Sequence, residues 1–152
     1  MKKSLIVVFI GLFLAGTVMA GTTGTADEAK AMVQKAVAFL KANGNEKAFA
    51  EFSNSKGLFT DRDLYIYVFD IKDNAKCLAH GANGKLIGQS LIEFKDTDGK
   101  LFIKEIADLA NSKGSGWVDY KWTNPTTKNI DPKSVYFEKL NNLVVACGFY
   151  KS

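Results

Sequence analysis

The stretch LYIYVFDIKDNAKCLAHGANGKLIGQSL, residues 64–91, decides the fold. Residues 64–70 are apolar, aromatic or β-branched at successive positions, which predicts a strand buried on both faces in the centre of a sheet. The polar run 72–75 is typical of a hairpin turn, and residues 76–80 return as a second strand. Three glycines follow within eight residues, so we expect a loop after this second strand.

Helical patterns flank this hairpin on both sides. The sequence TADE at 25–28 forms a capping box for a long helix, whose apolar residues recur at three- and four-residue spacing up to Leu40. A short second helix is predicted after it, with Asn45 as its cap. Residues 101–113 show a third apolar helical pattern, which Gly114 ends.

Three more strands are predicted at 116–122, 134–140 and 142–150, and the last is again apolar on both faces. The order α, α, β, β, α, β, β, β predicts an α+β fold with an open, five-stranded antiparallel sheet. The first and last strands should be adjacent in its middle. We expect the long N-terminal helix on one face, and the loops and the short middle helix over the other face, where they enclose a cavity.

Residues 1–20 have the pattern of a secretory signal peptide. Two lysines follow the first methionine, residues 5–14 form an apolar run, and small residues precede a predicted cleavage site after Ala20. The alternative is an uncleaved anchor, but the apolar stretch is shorter than the ~20 residues that span a bilayer. We therefore expect residues 21–152 to form a single periplasmic or secreted domain, with no membrane span once the leader is cleaved.

Charge and composition argue against several function classes. Loss of the two leader lysines lowers the formal net charge from +4 to +2, and the sequence shows no basic stripe, so nucleic-acid binding is not supported. Two cysteines seventy residues apart and one histidine do not match a zinc site. We predict no metal and no cofactor.

The predicted strand order also bears on the two cysteines. Cys77 and Cys147 should sit two strands apart, and strands lie ~4.8 Å apart, which separates them by about 9–10 Å. A disulfide needs Cα atoms within ~7 Å. The sequence therefore predicts two reduced, mostly buried thiols.

Several segments, in this order and spacing after the long N-terminal helix, resemble the single Cache domain of extracytoplasmic bacterial sensors. They are YIYVFDIKDNAKCLAH (65–80), a glycine before QSL (89–91), KDTDGKLFI (95–103), GWVDYKW (116–122), KSVYFEKL (133–140) and VVACGFY (144–150). The resemblance implies a PAS-like sheet and a sensor of small molecules, often short carboxylates. Most members lie between two membrane helices of a chemoreceptor or kinase, whereas this sequence ends two residues after the last predicted strand. We therefore expect a stand-alone exported module that binds a small organic acid and passes the signal to a membrane receptor or kinase in trans.

His80, the only histidine, admits four roles: a catalytic base, a metal ligand, a ligand contact, or a tether at the end of a strand. A base would need a nucleophile and an orienting acid. Cys77 lies three positions away on the same strand, so the two side chains should point to opposite faces. We predict no catalytic residue. The resemblance favours a ligand contact, since the matching Ala79-His80 position borders the pocket, and the tether remains an alternative.

The predicted ligand-binding residues share strand positions or strand ends around the expected cavity. They are Tyr67, His80, Trp117, Tyr120, Lys133 and Tyr136. A buried tyrosine hydroxyl needs a partner, so several of them suit a small polar molecule. Lys133, Lys121 and Arg62 are the cations that fit a carboxylate, but acids flank Arg62 and favour a local ion pair, and either lysine fits a solvated surface equally well.

Two motif-like stretches do not carry their usual chemistry. The pair Asp96 and Asp98 lacks the remaining ligands of an EF-hand, so a turn is expected. The run 81–88 is glycine-rich but lacks the GK[ST] of a phosphate loop. Two rival functions remain: a structural or protein-interaction domain without a ligand, and a small hydrolase, for which no set of nucleophile, base and acid assembles.

Overall fold

The structure is a computed structural model that describes residues 21–151, and the predicted signal peptide lies outside the described residues. The helices are α1 (Ala26–Asn43), α2 (Asn45–Phe52) and α3 (Phe102–Lys113), with a 3-10 turn at Gly84–Leu86. The strands are β1 (Thr60–Asp61), β2 (Leu64–Asp70), β3 (Lys76–His80), β4 (Ser115–Thr123), β5 (Ile130–Leu140) and β6 (Leu143–Tyr150). Within the described part, no helix combines the length and apolarity needed to cross a bilayer.

The sheet is antiparallel throughout, in the order β1-β2-β6-β5-β4, and β3 pairs with β2. The two strands that are apolar on both faces, β2 and β6, lie together in the middle, which confirms the sequence prediction. All five predicted strands form. β1 was not predicted, because two residues are too few to show an alternating pattern.

Helix α1 begins as the capping box predicts. The Thr25 hydroxyl accepts a hydrogen bond from the Glu28 amide at 3.2 Å, and the Thr25 amide donates to the Glu28 carboxylate at 2.9 Å. The helix packs on β5 and β6 through a buried apolar stripe that includes Val33 and Leu40. The predicted cap of α2 is wrong: Asn45 is its first residue, and Gly44, with φ +79°, precedes it and links the two helices tightly.

Strand alternation builds two cores, one on each face of the sheet. The helix face is the side covered by α1 and α2, where Leu64, Ile66 and Val68 point. The site face is the opposite side, where Tyr65 and Tyr67 pack beneath α3 and the segment 81–100. This is the predicted layering.

A β-bulge in β3 changes which side chains share a face. Val68 pairs with Ala79 and Phe69 pairs with Cys77, so Leu78 has no partner on β2. Leu78 packs with the helix face, while both Cys77 and His80 lie on the site face. The prediction that these two point to opposite faces is wrong, because the extra residue reverses the alternation.

The stretch 95–100 forms the predicted turn and covers the edge of β4. The Asp96 carboxylate accepts from the Asp98 and Lys100 amides at 2.9 Å each, and from the Lys121 amide of β4 at 3.1 Å. Residues 21–151 contain no cluster of three potential metal ligands. Asp96 thus satisfies two amides of its own turn and one amide of the edge strand β4, which would otherwise be exposed.

The cysteines lie as the strand order predicts. Cys77 on β3 and Cys147 on β6 are separated by β2, and both are buried and free. Burial raises the pKa of Cys77 to about 11 and that of Cys147 to about 12. Both thiols therefore stay protonated, which makes each a poor nucleophile.

Candidate ligand-binding site

A small cavity lies between the site face, α3 and the segment 81–100. Its walls are largely aromatic and aliphatic, with polar groups from tyrosines and a histidine. The lining residues are Tyr65, Tyr67, His80, Leu86, Leu91, Phe94, Phe102, Ile103, Tyr120 and Trp122. Its free volume is about 20 Å³, room for one or two water molecules.

Beside this cavity lies a buried cation without an anionic partner. Lys133 on β5 is only 1% exposed, and its ammonium donates one hydrogen bond, to the Tyr65 hydroxyl at 2.8 Å. Within residues 21–151, no carboxylate oxygen lies within 4.0 Å of this ammonium. An ammonium carries three donors, so two remain for another molecule.

Four tyrosine rings surround the Lys133 ammonium. Its nitrogen lies 4.1 Å from the ring centroid of Tyr65, 5.0 Å from that of Tyr150, 5.7 Å from that of Tyr67 and 6.0 Å from that of Tyr120. Strand pairing sets this cage, because Lys133 lies opposite Tyr120 on one side and Tyr150 on the other. The negative ring faces stabilise the buried charge without neutralising it.

The tyrosine hydroxyls form two pairs on the site face. The Tyr67 and Tyr120 hydroxyls are 3.1 Å apart, and the Tyr65 and Tyr150 hydroxyls are 3.5 Å apart. Tyr150 also donates to the Thr123 carbonyl at 2.7 Å. Burial raises the pKa values of Tyr67, Tyr120 and Tyr150 well above the ordinary range, so these phenols stay protonated.

His80 is a neutral hydrogen-bond donor of fixed orientation. Its Nδ1 accepts from the amides of Asn83 at 2.9 Å and Ala82 at 3.2 Å, so Nε2 carries the proton. The ring lies beside Tyr65 and Tyr67, with centroids 5.0 and 5.8 Å away. Burial, reinforced by the charge of Lys133, lowers the pKa of His80 to about 3.

The inner cavity adjoins a wider groove at the surface. This groove has a volume of about 220 Å³ and runs between the loop after β3 and the β4–β5 hairpin. Tyr65, His80 and Trp122 line both spaces. The outer groove therefore reaches two polar residues of the inner cavity, Tyr65 and His80.

A family model for the single Cache domain 2 matches residues 16–152. The chain belongs to the single Cache domain 2 family. This agrees with the resemblance seen in its sequence, and it makes the chain a Cache sensor domain, of a family that binds ligands rather than catalyses.

A curated relative of this Cache domain is the methyl-accepting chemotaxis protein McpP of Pseudomonas putida. The two are 31% identical over 97 residues, which cover 62% of this chain and 18% of McpP. The aligned residues thus span less than a fifth of McpP's length.

Three solved structures share the fold. A Cache chemosensory domain, described with the structural basis for carboxylic acid recognition, has a TM-score of 0.70 and 26% identity, over 83% of this chain and 92% of that chain. A methyl-accepting chemotaxis protein from Vibrio parahaemolyticus has a TM-score of 0.70 and 25% identity, over 82% and 86%. A periplasmic sensor domain of a chemotaxis protein has a TM-score of 0.64 and 25% identity, over 83% and 90%. Domains of this kind are extracytoplasmic sensors.

The structure of this Cache domain brings four of the six predicted site residues together. Tyr67, His80 and Tyr120 line the inner cavity, and the Lys133 ammonium lies within 6.0 Å of the Tyr67 and Tyr120 ring centres. Residues two positions apart on a strand point to the same face, which groups Tyr67 with Tyr65 and Tyr120 with Trp122. Both pairs share the site face as expected.

The other two predicted residues lie on the wrong side of the sheet for this cavity. Tyr136 points to the helix face, where its hydroxyl donates to Glu138 at 2.9 Å. The Trp117 ring packs 5.2 Å from that of Tyr136 and 6.1 Å from that of Phe149. The physical reason is alternation, since each lies three positions from a residue of the site face on its own strand, Trp117 from Tyr120 and Tyr136 from Lys133.

Sequence reasoning missed several members of the site, among them Tyr65, Tyr150 and Phe102. Tyr65 lies two positions before Tyr67 on β2 and therefore points to the same face, which was sufficient reason to predict it as a site residue. Tyr150 is brought next to Lys133 only by the β5–β6 register. Phe102, in the first turn of α3, stacks on Tyr120 with 4.0 Å between the two ring centroids. Neither contact has a local sequence signal.

The two other cations considered for the site lie elsewhere. Arg62 pairs with Asp61 at 2.8 Å and with Glu28 at 2.9 Å, which confirms its predicted local ion pair. The Lys121 ammonium lies 3.0 Å from Asp98, and its side chain is 43% exposed. Of the three cations considered, Lys133 is therefore the one that lies beside the cavity.

Proposed function

We propose that this Cache domain binds a short organic carboxylate whose charge pairs with the ammonium of Lys133. The observation that carries the proposal is the burial of this ammonium with one hydroxyl as its hydrogen-bond partner. A buried charge is costly unless it is paired. An incoming carboxylate would supply the missing partner.

The surrounding groups suit the rest of such a ligand. A carboxylate accepts hydrogen bonds, and two neutral donors are available to it. One is His80 Nε2, and the other is the hydroxyl of the Tyr67–Tyr120 pair that does not donate within the pair. Phe102 and Trp122 supply apolar walls for a short carbon chain. Because the free volume is about 20 Å³, a carboxylic acid of two or three carbons enters only if lining side chains shift outward. Leu86 and Phe94, which are half-buried, lie where such a shift is easiest.

The comparisons support the same ligand class. One structural neighbour is described by its recognition of a carboxylic acid, and it shares the fold over 83% of this chain. The match extends to 92% of that domain. We expect a Kd in the micromolar range, which corresponds to roughly −8 kcal/mol.

Isothermal titration calorimetry with sodium propionate, after a thermal-shift comparison with acetate, lactate and pyruvate, tests the proposal. We expect saturable binding that Lys133→Met weakens by 30-fold or more, about 2 kcal/mol. Lys128→Met is the matched control, because this lysine lines only the outer groove and is exposed. Equal affinities of parent and Lys133→Met would overturn the proposed site.

We also propose that the domain is exported through residues 1–20 and passes its bound state to a membrane receptor or kinase in trans. The leader pattern and the chemotaxis proteins among its relatives support this. The intact mass of protein recovered from a periplasmic extract tests the export. We expect a chain that begins at Gly21, whereas a retained leader would contradict cleavage.

The second candidate is a protein-interaction domain that binds no ligand. The small free volume of the cavity favours it. A raised melting temperature that depends on carboxylate concentration argues for the sensor. Melting temperatures that stay constant across the four acids, up to millimolar concentrations, would favour the interaction domain.

A further inference from the structure

The segment that precedes α1 is held by two neighbouring residues of the β1–β2 turn. Arg62 donates to the carbonyls of Thr23 at 3.0 Å and Gly21 at 3.2 Å, and Asp63 accepts from the Gly24 amide at 2.6 Å. A side chain at Gly24 would collide with Leu64 at 2.4 Å. The segment 21–24 is therefore docked closely, by side chains of one turn.

Asp63 has a second partner on the central strand of the sheet. Its other carboxylate oxygen accepts from the Tyr150 amide at 3.2 Å, and the residue is 0% exposed. Hydrogen bonds to a buried carboxylate are among the stronger ones in proteins. One buried side chain thus ties the segment before α1 to the end of β6.

Tyr150 in turn faces the candidate site. Its ring lies 5.0 Å from the Lys133 ammonium, and its hydroxyl is 3.5 Å from that of Tyr65, which accepts from Lys133 at 2.8 Å. A contiguous set of contacts therefore runs from Lys133 through Tyr65 and Tyr150 to Asp63 and the segment 21–24. Coupling between distant sites needs such a physical connection and an element with two arrangements. Release of the segment from the β1–β2 turn would supply the second arrangement.

We propose that occupancy of the Lys133 site is coupled to the docking of residues 21–24 through Tyr65, Tyr150 and Asp63. This inference rests on the proposed carboxylate site. A carboxylate that fixes Lys133 and Tyr65 also fixes the Tyr150 ring packed over the ammonium, and so holds the β6 amide against Asp63. Docking should be tighter in the bound state. By linkage, an undocked segment lowers the affinity by the same factor.

Hydrogen–deuterium exchange, read on peptides covering residues 22–26 with and without saturating sodium propionate, tests the coupling. In the parent protein we expect propionate to slow exchange there by about fivefold or more. Asp63→Asn keeps the shape but has one acceptor oxygen for two amides. It should lose the propionate-dependent slowing and bind propionate about fivefold more weakly.

Glu28→Gln is the matched control, because Glu28 holds Arg62 and the Thr25 amide but does not contact Tyr150. It should raise basal exchange of the segment and keep the propionate-dependent slowing. If Asp63→Asn does not fold, Tyr65→Phe replaces it, since it removes the bridging hydroxyl and leaves Asp63 intact. Because the Tyr65 hydroxyl also contacts Lys133, exchange of this variant is measured at a propionate concentration that calorimetry shows to be saturating, where it should also lose the slowing.

The outcomes separate the two proposals. If propionate binds and exchange at 22–26 does not change, the coupling is wrong and the carboxylate site stands. If propionate does not bind, the carboxylate site is wrong, and Lys133→Met in the absence of ligand then tests the network itself. Altered exchange at 22–26 in this variant would support the connection, and unaltered exchange would overturn it.

Discussion

Lys133→Met separates the two roles that a buried lysine can have, in binding and in stability. Methionine has a similar length and no charge. The substitution removes one hydrogen bond to Tyr65 at 2.8 Å and the contacts with four tyrosine rings within 6.0 Å. It also removes the cost of burying an ammonium that has no carboxylate within 4.0 Å in residues 21–151.

These contributions to stability oppose one another. The lost hydrogen bond to a charged group is worth about 1.5–3 kcal/mol, and replacing buried charges by apolar side chains is often neutral or stabilising by about 1–4 kcal/mol. We therefore expect the unfolding free energy of the ligand-free protein to change by less than about 2 kcal/mol. Propionate binding should weaken by about 2–5 kcal/mol, because the carboxylate then has no cation to pair with.

Urea unfolding and calorimetric titration, run on the same preparations of parent, Lys133→Met and Lys128→Met, measure both quantities. We expect both variants to have near-parental stability, and only Lys133→Met to lose propionate binding. A loss of more than 3 kcal/mol in stability would show that the ammonium is structural. Binding retained at parental affinity would refute its role as the anchor.

Three further predictions concern residues in or near the site. Folded His80 has a pKa of about 3 and the unfolded residue about 6.5, so the unfolded chain takes up a proton that the folded one does not. The unfolding free energy should therefore fall by about 1.4 kcal/mol for each pH unit below 6.5. Urea unfolding between pH 6.5 and 5 should show this decline, and His80→Gln should abolish it. Gly81→Ala should lower the unfolding free energy by about 1–3 kcal/mol, and with it the melting temperature, because the added Cβ would lie 3.0 Å from Tyr65 and 3.1 Å from two other atoms. Gly84→Ala is the control, since no atom lies within 4 Å of its added Cβ. Equal melting temperatures of the two variants would contradict this steric argument. Cys77 and Cys147, buried with raised pKa values, should resist alkylation in the native state and both react in denaturant without reductant, and a mass with no alkylated thiol would reveal a disulfide.

The architecture could be predicted from the sequence because the alternation of apolar and polar residues shows which strands are buried on both faces. Two runs without polar alternation, in β2 and β6, predict the centre of the sheet, and the capping box marks the start of α1 at Thr25. Both depend on neighbours along the chain, which a single sequence displays directly.

The site was predictable only in part, because its members meet through register. Alternation alone separates Trp117 from Tyr120, and applying it to the candidate list would have removed that tryptophan. The bulge at Leu78 brings Cys77 and His80 to one face, and no residue type in the sequence marks it. The burial of Lys133 likewise depends on its cross-strand partners rather than on its neighbours in sequence.

The central claim is that a carboxylate completes the coordination of the buried Lys133 ammonium. A crystal structure of the protein grown with sodium propionate tests it most directly. We expect a carboxylate oxygen within about 3.2 Å of the Lys133 nitrogen, with His80 Nε2 donating to the same ligand and the side chains of Leu86 or Phe94 moved outward. Propionate bound only in the outer groove beside Lys128, with the inner cavity still closed, would contradict it.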